Sequence, residues 1–176
     1  MVKPRLLILS DLFGGGNPEW IKYYIEIVES KFDIQYYDVL KLGEIDTSDF
    51  DEKKIHKQFL ETGIDKAVKN LLNLEKEKVT VLGFSIGGTI AWKASLKGLN
   101  VYQLITVSST RLRFETEIPN CKIKLYFGGK DLNMPDLEWF IDLKISNQFF
   151  ENQDHQLYLE EKNALVICNE ILQGFD

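Results

Sequence analysis

Apolar positions along the chain change period several times, and each change marks an element. From Arg5 to Leu9 a short continuous apolar run ends at Ser10-Asp11 and then Gly14-Gly15-Gly16, which predicts a strand buried on both faces followed by a tight loop. Asn17-Pro18-Glu19 supplies an N-cap, a proline for the first helical position and an acid for the first turn. Trp20, Tyr23, Tyr24, Ile27 and Val28 follow at helical spacing. Phe32 to Leu40 is rich in aromatic and β-branched residues and predicts a second strand ending at Asp38. From Asp51 to Leu74 the apolar residues Ile55, Phe59, Leu60, Ile64, Ala67, Val68, Leu71 and Leu72 keep a helical period for about six turns, with Gly63 weakening the helix without breaking it.

The second half repeats the alternation. Val79 to Leu82 predicts a third strand and Ile86 to Leu96 a helix behind it; Val101 to Val107 and Lys122 to Phe127 predict two more strands. Between those two, Ser108 to Cys121 leaves little room for a crossover helix, so any lid is short. Leu137, Phe140 and Ile141 define a helix within Leu132 to Leu143, and Gln148 to Glu151 a short sixth strand. Tyr158 to Leu172 predicts a last helix with Leu165, Cys168, Ile171 and Leu172 facing inward. Strands alternating with helices specify the α/β class: a three-layer α/β/α sandwich around a mostly parallel, six-stranded sheet. With 176 residues and no repeat or linker, residues 1–176 are expected to form one domain.

Composition narrows the function classes. Hydrophobic residues are 44% and charged residues 27%, an ordinary globular balance, and the net charge of −6 with no Lys/Arg cluster argues against a nucleic-acid partner. No run has the length of a membrane span. Met1-Val2-Lys3-Pro4-Arg5 is basic like a signal peptide, but Leu6 to Leu9 is too short an apolar core and ends in Ser10-Asp11. Cys121 and Cys168 belong to no disulfide framework and fit a reducing compartment, so a cytoplasmic location is expected.

In an open parallel sheet, ligand sites lie beyond the carboxyl ends of the strands, which selects three stretches. Gly83-Phe84-Ser85-Ile86-Gly87 follows the third strand, Gly128-Gly129-Lys130-Asp131 the fifth, and Asn152-Gln153-Asp154-His155 the sixth. The first fits G-x-S-x-G, a serine exposed on a sharp strand-to-helix turn whose flanking glycines allow close backbone packing. Alone that pattern arises by chance in about one chain in twenty of this size. A serine hydroxyl needs a base, and imidazole held by a carboxylate is the usual one. His56, flanked by lysines near the start of the long helix, reads as a solvated residue; His155, in a polar loop after a strand, stands where a base is needed. Among the carboxylates Asp131 sits in a glycine-rich post-strand turn, Asp136 reads as a helix-start acid, and Asp154 adjoins His155 too closely to face it easily.

These residues, in the order Ser, Asp, His, resemble the α/β-hydrolase superfamily over essentially the whole chain, and most of all its short serine hydrolases similar to the retinoblastoma-binding serine hydrolases. The family's N-terminal hairpin has no counterpart in the sequence. The resemblance implies Ser85 as nucleophile, His155 as general base and then acid, and Asp131 as the group orienting the histidine. It also implies an oxyanion hole built from the Ile86 N–H and an N–H of the loop after the first strand. Asp11-Leu12-Phe13-Gly14-Gly15 aligns with the family's His-Gly-x-Gly-Gly loop but has Asp11 for its histidine and Leu12 for its first glycine; Phe13 is the favoured second donor and Leu12 the other candidate. A carboxylate at Asp11 opposes charge development there unless it points away or is neutralised.

Arg111 and Arg113, after the fourth strand, are candidates for binding a substrate carboxylate or phosphate, against a reading as solvated loop residues. Gly14-Gly15-Gly16 matches neither phosphate-loop nor dinucleotide fingerprint, and no metal-ligand spacing occurs. The expectation is a cofactor-free, metal-free serine hydrolase acting on a small ester or thioester through an acyl-serine. The alternative is a weakly active or inactive binding protein on the same fold.

Overall fold

The structure, a computed structural model, describes residues 3–16 and 18–174. Its strands are β1 (Arg5–Leu9), β2 (Asp33–Tyr37), β3 (Val79–Phe84), β4 (Val101–Val107), β5 (Lys122–Gly128) and β6 (Ser146–Phe150). They form one sheet in the order β2-β1-β3-β4-β5-β6, and all five pairings are parallel. The helices are α1 (Glu19–Val28), α2 (Val39–Leu42), α3 (Glu52–Gln58), α4 (Ile64–Leu74), α5 (Ile86–Leu96), α6 (Leu137–Leu143) and α7 (Glu161–Gln173).

Alternation along the strands divides the interior into two cores, because successive side chains point to opposite faces. Leu7, Leu9, Val81, Leu104, Leu125 and Phe127 pack under α2, α3, α4, α5 and α6. Leu6, Ile8, Leu82, Phe84, Ile105, Val107 and Tyr126 pack under α1 and α7. The three layers follow directly, and the central β3 is buried at all six positions. At its amino end the sheet is pinned by Arg5, whose Nε and Nη2 each lie 2.9 Å from the Glu75 carboxylate, itself bonded by the Tyr37 hydroxyl.

The strand order reverses at β1. The chain leaves β1 to build β2 on one side and returns to build β3 on the other, so the loops after β1 and β3 diverge and leave a crevice between them. Between β4 and β5 the only regular structure is a 3-10 turn, Thr110–Phe114, so the connection carries no lid helix.

Several boundaries differ from the sequence reading. Pro18 occupies the N-cap of α1 rather than its first helical position, and the cap expected at Asn17 lies outside the described residues. Beyond β2 the chain coils at once into α2, because the Asp38 carboxylate accepts the Leu40 N–H. The long helix is interrupted by a π-helical turn, Phe59–Gly63, between α3 and α4. Phe59 and Ile64 are both buried although five residues apart, a spacing that α geometry turns about 140° out of line and the π turn restores. The last helix begins only at Glu161, and Leu165 is 50% exposed; the buried face is instead Asn163, Ala164, Ile167, Cys168 and Ile171.

Phe84, the last residue of β3, is fully buried between Trp20, Tyr24 and Tyr158, with ring centroids 4.7, 4.8 and 5.5 Å away. Phe84→Ala is expected to lower unfolding free energy by about 3–5 kcal/mol in urea titration, because the surrounding rings are too rigid to close the cavity.

Candidate active site

Ser85 stands between β3 and α5 with φ 49° and ψ −117°, a conformation that L residues avoid. It is held there by its N–H donating to the Val107 carbonyl at 2.8 Å, and by the absence of side chains where the turn crowds its neighbours. A Cβ on Gly87 would overlap the Ser10 carbonyl oxygen at the end of β1, so only glycine lets α5 start this close to the adjacent strand.

The Ser85 hydroxyl lies 3.0 Å from His155 Nε2, and His155 Nδ1 lies 2.7 Å from Asp131 Oδ2. The three side chains therefore form one hydrogen-bonded chain. Backbone packing brings the last two together: Lys130 N–H donates to Gln153 O and Gly129 N–H to Phe150 O, both at 2.9 Å. A Cβ on Gly128 would overlap the Asp154 carbonyl. The Gly-Gly turn thus lets the His155 loop lie across the end of β5. Burial alone would raise the pKa of Asp131, but hydrogen bonds from His155 and the Asn133 N–H, with the charges of His155 and Arg113, hold it below the usual carboxylate range. The two rival acids are engaged elsewhere, Asp136 capping α6 by accepting from Trp139 N–H and Asp154 accepting from Gln156 N–H in its own loop.

Solved structures share this architecture. A protein from Xanthomonas campestris assigned to the hydrolases of the alpha/beta superfamily superposes with a TM-score of 0.73 at 16% identity, over 98% of this chain and 100% of that one. The mouse alpha/beta hydrolase domain-containing protein 10 gives 0.69 at 14% identity, over 97% and 88%. A carboxylesterase from Bacillus subtilis gives 0.62 at 13% identity, over 97% and 82%. The chain has the α/β-hydrolase fold. No protein-family model and no curated protein sequence matches it.

Within this α/β-hydrolase fold an open cleft of about 700 Å³ surrounds Ser85, at the crevice between the β1 and β3 loops. Leu12, Phe13, Ile86, Arg111 and Arg113 all line it, as the sequence reading expected of residues beyond the strand ends. His56 does so too, contrary to its reading as a merely solvated residue: α3 places it on the cleft wall. A separate cavity of about 540 Å³ beside β2 is lined by Tyr36, Tyr37, Asp38, Asn70 and others, with no serine, cysteine or histidine. Among the described residues no group of three His, Cys, Asp or Glu is arranged to hold a metal ion, and no helix is long and apolar enough to cross a membrane.

The loop after β1 corrects one expectation. Asp11 is only 3% exposed; its Oδ1 accepts from the N–H groups of Phe13 and Gly14, both at 3.2 Å, and its Oδ2 from the Tyr158 hydroxyl at 3.0 Å. The Phe13 N–H, favoured as an anion donor, is therefore committed to Asp11. The N–H groups of Leu12 and Ile86 have no partner among the described residues. Burial pushes the Asp11 pKa up, against the opposing effect of Tyr158, Gly14, Phe13 and the His155 charge. Cys121 and Cys168 lie away from this chemistry, their thiols pushed by burial up to about 11 and about 12.

A buried acid with a raised pKa stays neutral over a range in which the unfolded chain is already ionised, so stability falls as pH rises from about 4 through that range. Asp11→Asn keeps the Oδ1 acceptor and removes the titration. The difference in Tm, variant minus wild type, is expected to grow as pH rises from about 4 and then level off. A difference independent of pH, followed by calorimetry from pH 4 to 8, contradicts this assignment.

Proposed function

We propose that this protein is a serine hydrolase that cleaves a small carboxylic ester or thioester through an acyl-Ser85 intermediate. The observation that carries the reading is the unbroken chain Ser85 Oγ, His155 Nε2, His155 Nδ1, Asp131 Oδ2, with spacings of 3.0 and 2.7 Å, built on a strained elbow inside a cleft. The structural neighbours, which include a carboxylesterase, support a hydrolase in the coarser sense.

In this mechanism Asp131 accepts the Nδ1–H of His155, which fixes the tautomer with Nε2 bare and able to take the Ser85 proton. Ser85 Oγ attacks the acyl carbon, and the carbonyl oxygen becomes an anion facing the free N–H groups of Ile86 and Leu12. Collapse returns the proton from Nε2 to the departing alcohol or thiol. A water, deprotonated by the same nitrogen, then attacks the acyl-serine and releases the acid. No cofactor or metal enters any step. Free Cys121 and Cys168 support placing the protein in a reducing, cytoplasmic compartment.

The inactive-binder alternative drew on Asp11 and Leu12 in the loop after β1. With both carboxylate oxygens of Asp11 occupied by Phe13, Gly14 and Tyr158, that reading loses the support it drew from Asp11 and rests on Leu12 alone.

An active-site-directed fluorophosphonate is expected to label the wild type and not the folded Ser85→Ala variant; an unlabelled wild type, or equal labelling of the two, sinks the hydrolase reading. Asp131→Asn is expected to lower kcat by about 10³- to 10⁴-fold by stabilising the wrong tautomer of His155. In a crystal structure of a phosphonate adduct, the phosphoryl oxygen should lie within hydrogen-bond distance of the Leu12 and Ile86 nitrogens; contact with the Phe13 nitrogen instead overturns the donor assignment.

A further inference from the structure

Arg111 and Arg113 both leave the end of β4 on the Thr110–Phe114 turn and both line the cleft that holds Ser85, but they are used differently. Arg113 Nη1 donates to the carbonyls of Thr110 and Asn133, at 2.8 and 3.0 Å, and so ties the turn to the loop that follows Asp131. Arg111, half-buried, makes no hydrogen bond or ion pair with any described residue. Its contact is with the Phe114 ring, 5.2 Å away, which Arg113 shares at 4.4 Å. Glu115, whose charge reaches Arg111, is itself paired with Lys93 at 2.7 Å.

Five N–H donors without an acceptor are unusual for a side chain this enclosed, because guanidinium groups in such positions normally hold carboxylates. Burial and the neighbouring Arg113 charge both disfavour the cation, lowering its pKa. Lys130 adds a third positive charge to the cleft wall of a chain whose net charge is −6. The same cleft also holds the carboxylates of Glu52, Asp131 and Asp154, but none of them bonds to Arg111: Asp131 accepts from the Asn133 N–H and lies against His155, Asp154 accepts from the Gln156 N–H, and Glu52 is exposed at the start of α3.

We propose that Arg111 is the specificity-determining residue of this cleft, binding a carboxylate or phosphate carried by the ester or thioester whose acyl carbon meets Ser85. The planar fork of Arg111 suits two-point contact with either anion, while Arg113 fixes the turn that presents it. This rests on the hydrolase reading above, and it adds the substrate class: small anionic esters in preference to neutral ones of equal size.

The test compares matched pairs: 4-nitrophenyl hemiglutarate against 4-nitrophenyl butyrate for charge on the acyl side, and 4-carboxyphenyl against 4-carbamoylphenyl butyrate for charge on the leaving group. In one pair the wild type is expected to favour the anion in kcat/KM by about tenfold or more. Arg111→Gln should lower that ratio about 10- to 100-fold, the effect of one charge-assisted hydrogen bond. Arg111→Lys should retain part of the preference, and 0.5 M NaCl should reduce it in the wild type without any substitution. A wild-type ratio of one or less in both pairs, or a fall in Arg111→Gln shared equally by charged and neutral esters, overturns the proposal. Calorimetric titration of glutarate and of inorganic phosphate into wild type and Arg111→Gln separates this from turnover. Binding that depends on Arg111, even where no ester is cleaved, sustains the anion site while the hydrolase reading fails, and the stronger ligand identifies the anion. Absence of binding together with cleavage of neutral esters alone does the reverse.

Discussion

The backbone at Ser85 is the constraint on which the rest of the cleft depends. A φ of 49° and ψ of −117° on a residue with a side chain stores strain of about 1–3 kcal/mol, and it persists only because surrounding groups leave no alternative. The Ser85 N–H is fixed to Val107 on β4, its carbonyl accepts from Gly88 at 3.2 Å, and Gly87 lies against the end of β1. Three adjacent strands thus hold one turn. The strain has a use, since the same geometry lifts the Ser85 hydroxyl out of the sheet toward His155 and leaves the Ile86 N–H without a partner among the described residues.

A second set of contacts couples the two loops that must face each other across the proposed reacting carbon. Tyr158, three residues beyond His155, donates its hydroxyl to Asp11 under the β1 loop, and its own carbonyl accepts the Tyr24 hydroxyl at 3.1 Å. Its ring packs with Trp20 and Phe84. One aromatic side chain therefore links the His155 loop, the loop after β1, α1 and Phe84 at the end of β3. Asp11, which from sequence looks like an intruder in an anion site, is the near end of that link: it shapes the loop by taking the Phe13 and Gly14 N–H groups and so leaves Leu12 free. The same Asp11 is costly to ionise where it lies, which is the reason its oxygens are surrounded by donors.

How much of this was legible in the sequence depended on whether local pattern or distant packing set the feature. β1, α5 and β4 have the limits that their apolar runs and flanking glycines predict, because both signals are local. The Ser85, Asp131 and His155 positions were legible for a different reason: parallel topology puts candidate site residues after strand ends, and the G-x-S-x-G turn and the Ser, Asp, His order chose among them. The π turn at Phe59–Gly63 was not, since it answers to the packing of Phe59 and Ile64 on the core beneath it. The late start of α7 has the same origin, as Leu157 and Tyr158 are held in a 3-10 turn by buried contacts. The Leu12 donor stood between. An aspartate tends to bond the N–H two residues on, so Asp11 capturing Phe13 was available from sequence, but its depth of burial was not.

The hydrogen-bonded chain is unequal in its exposure to water. Asp131 is 3% exposed at the side chain, whereas His155 is 37% exposed and Ser85 is half-buried. The dry end carries the permanent charge, where the Asp131–His155 hydrogen bond is strengthened by low local dielectric and the imidazole orientation is fixed before any ligand arrives. The wet end opens on the cleft, and the short β4–β5 connection carries no helix to close over it. In the proposed hydrolase, exclusion of water from Ser85 would then come from the substrate itself, against the Leu12, Phe13, Ile86 and 98% exposed Leu132 that line the cleft. Under the hydrolase reading proposed above, the non-reacting part of the substrate would do more than increase affinity: by displacing water from the open end it would strengthen the field of the Leu12 and Ile86 N–H groups on the developing anion and so convert remote binding into rate.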